Sequence, residues 1–556
     1  MSLPAPSELA RPVLRRWRRW PRWPRWPWYQ WLFLGFALLY VMPFWVVHFV
    51  PTMDGPCHLY NAWVLRHYGD SAHYPLLSRY YEVDARPFPN WLTHLLLAGL
   101  MWSVPPVVGE KLLASGYVLL LMGGLWYLAG AVEIERRWLA FLGFLFVFNL
   151  PWQCGFYNFC YSLGLFVIAV GYWWRRRDRF DLGVAVKLNL LLWLCYFAHI
   201  VSSILALLAI AVLWLATLRR TSFKRRLVQI GALAPQAALP LWFVLVQGGS
   251  PSPAHIAFAG LWHDFVHFSV FFGLKDQTRF GVVLEVVFAL LIALSIGCRL
   301  RAWRRPPLPP LVAAPAIGDT PGRSAALPAG RREAGAAGDL GFLVLAVACA
   351  VLFFVAPEGM SGGLLLPMRL AAYPWLILIP WLAPGLRGHA KVAAVGVLAL
   401  LAGLNLCYVV RCYRQLDRVM VRFIRGLDAV ENSTVVVPLL FNRYDGGCSQ
   451  VGYLDHAIDH AAIAKGLVDW DNYEAVGALR EHHFPLRFKD SASHETNTIE
   501  ATPENAGPRE LKEQVDYVYC WKMPPGQRIG RRLRHNFALV GDTGDSQLFR
   551  SPRLRP

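Results

Sequence analysis

"WLFLGFALLYVMPFWVVHFVPTMDGPCHLYNAWVL" (residues 31–65) joins two kinds of sequence. Trp31–Val50 is almost uncharged, and a helix of about 20 such residues crosses a bilayer core. Polarity then arrives abruptly. Pro51, Asp54, Pro56, Cys57 and His58 lead into a helical-looking stretch with Tyr60 and Asn61. A carboxylate, an imidazole and a phenol thus gather where the first apolar run stops.

The rest of the chain repeats the first half of that pattern. Of 556 residues, 56% are hydrophobic and 16% charged, against roughly 45–50% and 25% in soluble domains. Mean hydropathy is +0.36. Near-uncharged runs recur at Leu112–Ala131, Ile204–Leu218, Val282–Ile296, Leu340–Val355 and Val392–Val410. The composition specifies a polytopic membrane protein.

The net charge of +19 sits in short clusters between these runs: 15–28, 133–138, 175–180, 219–226, 299–305 and 386–391. That distribution follows the positive-inside rule and argues against nucleic-acid binding. The Arg/Trp tract 1–28 reads as a cytoplasmic anchor on anionic lipids. With the N-terminus inside, "PTMDGPCHLYN" faces out, and the 13-residue apolar stretch 91–103 lies on the outer surface without crossing. Eleven spans are expected: 29–50, 110–131, 138–150, 160–174, 183–200, 202–218, 227–247, 280–298, 340–356, 367–385 and 391–410. The expected fold is thus an all-α membrane domain over 29–410, with a first outer loop at 51–109 and an inner Pro/Gly/Ala-rich linker at 306–339. A small α/β domain at 411–556, outside the membrane, has strand-like 433–441 and 515–521. Arg-rich usage points to a bacterial inner membrane.

The stretch "DGPCHLYNA" (54–62), followed by "RPFPNWLTHLLLAGLMWSVPPVVGEKLLAS" (86–115), resembles the first outer loop of GT-C glycosyltransferases. The likeness covers about the first 180 residues by motif and the remainder by architecture. It implies a cell-envelope enzyme that moves a sugar from a polyprenyl-phosphate carrier to a lipid, glycan or protein acceptor. Asp54 and His58 would then be catalytic, with Tyr60 and Asn61 contacting substrate. The chemistry suits them: such transfer needs a base or a charge-stabilising carboxylate, and cations for the departing phosphate. Asp54 is equally well placed to cap the helix after it. Arg369, in "LLLPMR", is the phosphate candidate because Arg binds phosphate bidentately; a pair with Glu358 is the alternative. In "NLPWQCGFYNFCYS" (149–162), Trp152 could stack on a sugar, and Tyr157 and Asn158 could hydrogen-bond to it. They serve equally as interfacial aromatics and helix caps.

Neither a P-loop nor a dinucleotide-binding glycine pattern is present, and no cofactor is expected. No metal is expected either: His263/His267 and "LDHAIDH" (454–460) have metal-like i, i+4 spacing but no evident third ligand. Cys448 and Cys520, which flank the two strand-like runs, are expected to form a disulfide, with Cys412 as the other available partner. A transporter or flippase of a lipid-linked or anionic substrate is the other reading, supported by Pro235 and Pro240 inside one span.

Overall fold

The computed structural model describes residues 27–217, 223–247, 258–304, 330–359, 365–383, 386–476, 484–490 and 503–554. The Arg/Trp tract up to residue 26 and most of the 306–339 linker lie outside these.

Helices dominate the first three-quarters of the chain. Four candidate spans, Pro106–Val132, Arg226–Val246, Lys275–Arg301 and Gly388–Arg425, are long and apolar enough to cross a membrane. Shorter apolar helices cover Leu182–Ala198, Ile200–Ala216 and Leu340–Val355. Outward-facing leucines and valines, such as Leu241, Leu245, Val282 and Leu290, are the surface a bilayer would cover.

Several of the eleven expected spans take other forms. The run 29–50 is a helix, Trp28–Leu39, and a single turn, Met42–Trp45, broken at Pro43, which fixes its own φ and lacks an N–H. The stretch 367–385 breaks into Leu366–Leu370, Ala372–Leu378 and a 3-10 turn, Ile379–Trp381, with Pro374 and Pro380 inside it. The stretch 138–150 belongs to a buried 3-10 helix, Ile134–Leu145, not an α-helix. The 227–247 span bends through a 3-10 turn at Ala234–Ala237, where Pro235 sits. Residues 91–103 form only a nine-residue helix, Leu92–Leu100, as their length suggested.

Glycines show how the centre is assembled. A Cβ on Gly130 or Gly143 would strike Arg137 or Leu125, so the 3-10 segment runs back along the Pro106–Val132 helix. Gly116 meets Tyr161, Gly124 meets Val167, and Gly171 meets Leu128. Tyr157–Arg176 therefore lies parallel to Pro106–Val132, with the 3-10 segment as the return crossing. Small residues of this kind let helix backbones approach closely in apolar surroundings.

Among the described residues, the charge clusters 133–138, 299–305 and 386–391 meet at one end of this bundle. There Arg136 donates to the Pro380 carbonyl, Arg299 to Trp381 and Lys391 to Glu135, and Lys391 lies over the Tyr29 ring. Asp54 is at the opposite end.

The last long helix runs through the expected boundary at 410/411 to Arg425. At about 1.5 Å per residue its 38 residues span ~57 Å, far more than a bilayer core requires. Beyond it lies a five-stranded sheet ordered β3-β2-β5-β7-β6. β2 (Val435–Leu440) pairs in parallel with β3 (Val468–Asp469) and β5 (Tyr517–Trp521). β6 (Ala538–Asp542) and β7 (Ser546–Arg550) complete the sheet antiparallel. The apolar runs "VVVPLL" and "YVYCW" are buried throughout, as parallel strands covered on both faces are. A separate two-stranded ribbon joins β1 (Tyr81–Val83) of the first loop to β4 (Leu486–Phe488). The loop and the C-terminal domain thus share hydrogen bonds and a core. The expected Cys448–Cys520 disulfide is absent and all ten cysteines are free; Cys520 is buried in β5, whereas Cys448 is bonded to Gln415.

Candidate functional site

Asp54 is fixed by backbone geometry. Met53 and Asp54 donate their N–H groups to the carbonyls of Gln153 and Cys154 at 2.9 and 3.0 Å. That pairing needs Gly155, whose φ is +81° and whose Cβ would stand 2.4 Å from the Gly55 nitrogen. The Gly55–His67 helix then begins, with Pro56 in its first turn. Asp54 occupies the N-cap position but makes no side-chain cap bond. Its carboxylate instead accepts from the Tyr473 hydroxyl at 3.1 Å and lies 3.8 Å from His456 Nε2. The capping alternative is not how this side chain is used.

The partners come from the segment after β3 and from "LDHAIDH". Chain leaving the carboxyl end of a parallel strand is a common place for sites in α/β sheets. Here it supplies Asp469, Asp471, Asn472, Tyr473 and Glu474, all buried or nearly so. Glu474 receives His58 Nδ1 at 2.7 Å, His94 Nε2 at 2.9 Å and the Asn61 amide. Burial alone would raise the Glu474 pKa, but His58 and His94 hold it well below the usual carboxylate range. Burial likewise works against His94, yet the Glu474 charge and hydrogen bond leave its pKa raised. Each group thus favours the charged form of the other.

Next to it is a more acidic group. Cys57 donates to Asn472 Oδ1 at 3.3 Å. Asp459 faces the Asp469 carboxyl, and burial together with that neighbour raises its pKa well above normal. His460, packed on the Phe49 ring, is held neutral by burial, its pKa pushed down to about 3. Two sets of potential metal ligands result among the described residues: Cys57, His456 and Asp459, and His58, His94 and Glu474. His263 and His267 belong to neither; His267 is tied to Glu285 at 2.7 Å.

The sequence candidates divide accordingly. Asp54, His58 and Asn61 line the cluster. Arg369 lies over the Phe156 ring at 4.6 Å, within electrostatic range of Asp54, Cys154 and Tyr473. Tyr157 flanks it, its ring 5.7 Å from that of His58 and its hydroxyl donating to Glu110 at 2.8 Å. The others serve packing. Tyr60 donates to the Leu467 carbonyl, Trp152 stacks on Tyr117 and donates to Tyr413, and Asn158 accepts from the Thr93 backbone at the Leu92–Leu100 helix. Asp54 is 6% exposed, not on an open loop, because Tyr473 and "LDHAIDH" cover it.

Sequence reading missed His94, Tyr473, Glu474 and the Asp469–Asn472 run. The signal available was the density of acids in "VDWDNYE" (468–474) directly after a buried strand. Together these features define an apolar helical protein with a buried acid–imidazole cluster between its helices and a C-terminal sheet. No protein-family model matches the chain, and no curated protein does.

Proposed function

We propose that the protein is a membrane glycosyltransferase that moves a sugar from a polyprenyl-phosphate carrier to an acceptor outside the cytoplasm. The observation that carries this reading is the convergence of Asp54, His58, Asn61 and Arg369 at one end of the apolar bundle. A carboxylate that can take an acceptor proton stands in electrostatic range of a guanidinium suited to phosphate. The arginine clusters at the other end support a cytoplasmic assignment for that side and an outer one for the site. Tyr473 and His456 contact the Asp54 carboxylate and orient it; the Glu474 pair holds His58 beside it.

A lipid or anion flippase is the second reading, favoured by the broken helix around Ala234–Ala237. Gln236 there is bonded to Asn189, and that break has no contact with the acid–imidazole cluster among the interactions described.

Asp54→Asn tests the main reading. Cells lacking the protein should accumulate a polyprenyl-phosphate sugar, which wild type consumes and Asp54→Asn does not. The loss expected for a general base is about 10²–10⁴-fold. A fully active Asp54→Asn protein at normal abundance would remove Asp54 from the chemistry. Loss of transmembrane movement of the lipid, with transfer intact, would favour the flippase.

A further inference from the structure

The geometry points to a zinc-type divalent cation site formed by Cys57 Sγ, the His456 imidazole and an Asp459 carboxylate oxygen. The three ligand atoms lie within 4.8 Å of one another, and all three residues are buried. Zinc–ligand bonds of ~2.0–2.3 Å set tetrahedral ligand separations of roughly 3.3–3.8 Å. A closure of about 1 Å therefore brings all three onto one ion. Sulfur, nitrogen and oxygen in one set suit zinc over magnesium or calcium, which take oxygen ligands. Three protein ligands leave a fourth position open, as in catalytic rather than structural zinc sites.

Asp459 supplies the independent sign of a missing partner. It is fully buried, and neither carboxylate oxygen has a hydrogen-bond donor. It faces the carboxyl of Asp469. Two buried carboxyls in contact need either a shared proton or a cation between them. Cys57 completes the case: its thiol, which donates to Asn472 Oδ1 at 3.3 Å, stands among the carboxyls of Asp459, Glu474, Asp469 and Asp54. A divalent ion reverses that electrostatic balance. Binding releases the thiol proton and the proton held between the two aspartates to solvent, leaving a thiolate and a carboxylate on the metal.

The neighbouring set, His58, His94 and Glu474, does not compete. Its carboxylate already has one oxygen hydrogen-bonded to His94 and the Asn61 amide and the other in a 2.7 Å ion pair with His58, so its charge is answered within the protein. Asp54, 3.8 Å from His456 Nε2, would stand behind a His456 bound through Nδ1, an arrangement that fixes ligand orientation.

The site does not rest on the transferase reading, because metal content is measured without substrate. The full chain, purified in detergent, is stripped with a chelator, re-equilibrated with zinc and measured by elemental analysis. About one zinc per chain is expected, falling to background in Cys57→Ser and in Asp459→Asn. His94→Gln should keep its metal. Asn at 459 can donate to Asp469, so this variant retains a partner for that carboxyl if Cys57→Ser misfolds. Cobalt(II) in place of zinc should give a thiolate charge-transfer band that Cys57→Ser lacks. Zinc content in wild type no higher than in Asp459→Asn would overturn the proposal in favour of a shared proton. Loss of metal in His94→Gln, with retention in Cys57→Ser, would overturn it in favour of the neighbouring set.

Discussion

Replacing Glu474 by Gln keeps the shape of the side chain and removes its charge. The carboxylate accepts from His94 and Asn61 and is ion-paired with His58. An amide can accept on one side only and presents N–H to the other. At least one charge-assisted hydrogen bond is lost, at about 1.5–3 kcal/mol. His94 then loses the anion that favours its protonation. Glu474→Ala, which strips every partner, should cost more, about 3–5 kcal/mol, as when one member of a buried pair is removed. The effect of Gln depends on pH in a defined direction. Glu474 has a depressed folded pKa, so its contribution is present above the ordinary 4.5 and is lost as pH falls through the folded value. His94 has a raised one, so its contribution is complete below the ordinary 6.5 and is lost as pH rises through the folded value. The difference between wild type and Glu474→Gln should therefore be greatest between about pH 4.5 and 6.5 and shrink in more alkaline buffer. Urea unfolding in detergent, followed by tryptophan fluorescence across that pH range, measures it. A difference that is flat with pH, or that widens above pH 8, would refute the ionised pair.

Gly155→Ala should destabilise by at least about 1–2 kcal/mol from its left-handed backbone alone, with the clash at the Gly55 nitrogen added, and should abolish transfer. Gly123→Ala, with nothing within 4 Å of its Cβ, is the matched control and should be neutral or stabilising in a thermal-shift assay. For topology, cysteines placed at the exposed positions Trp102 and Leu182, in a background lacking the accessible native thiols, should be labelled from opposite sides of the membrane. Trp102 should report the outer side; the reverse result would put Asp54 in the cytoplasm.

Hydropathy made the apolar runs plain, and three of the arginine-bearing clusters, at 133–138, 299–305 and 386–391, do meet at one end. The exact spans were less legible. A run such as 138–150 is apolar because it is buried in protein, and composition alone does not distinguish that from burial in lipid. The glycines at 116, 124, 164 and 171 were visible as letters, but their meaning depends on which helix lies opposite. Asp54 and His58 stood out because polar residues interrupt oil there. Tyr60, Trp152 and Asn158 stood out for the same reason, yet their polar atoms are used to secure packing. The other half of the site was illegible as a site, since nothing in local spacing ties "LDHAIDH" or Glu474 to residues some 400 positions earlier. The two strand-like runs of the C-terminal domain, by contrast, were readable from their β-branched and aromatic composition.

That distance in sequence governs how the protein must be made. Asn61 meets Asn472 across 411 positions, Tyr60 meets Leu467 across 407, and His94 meets Glu474 across 380. At about 5–20 residues per second, the first loop emerges roughly 20–80 s before the chain that completes it. During that interval the Gly55–His67 helix has its own backbone bonds but none of the C-terminal contacts that bury it. β1 likewise waits for β4. Synthesis stopped between about residues 425 and 454 therefore leaves the helices with an unfinished polar face, and the acid–imidazole cluster closes only once Glu474 has emerged.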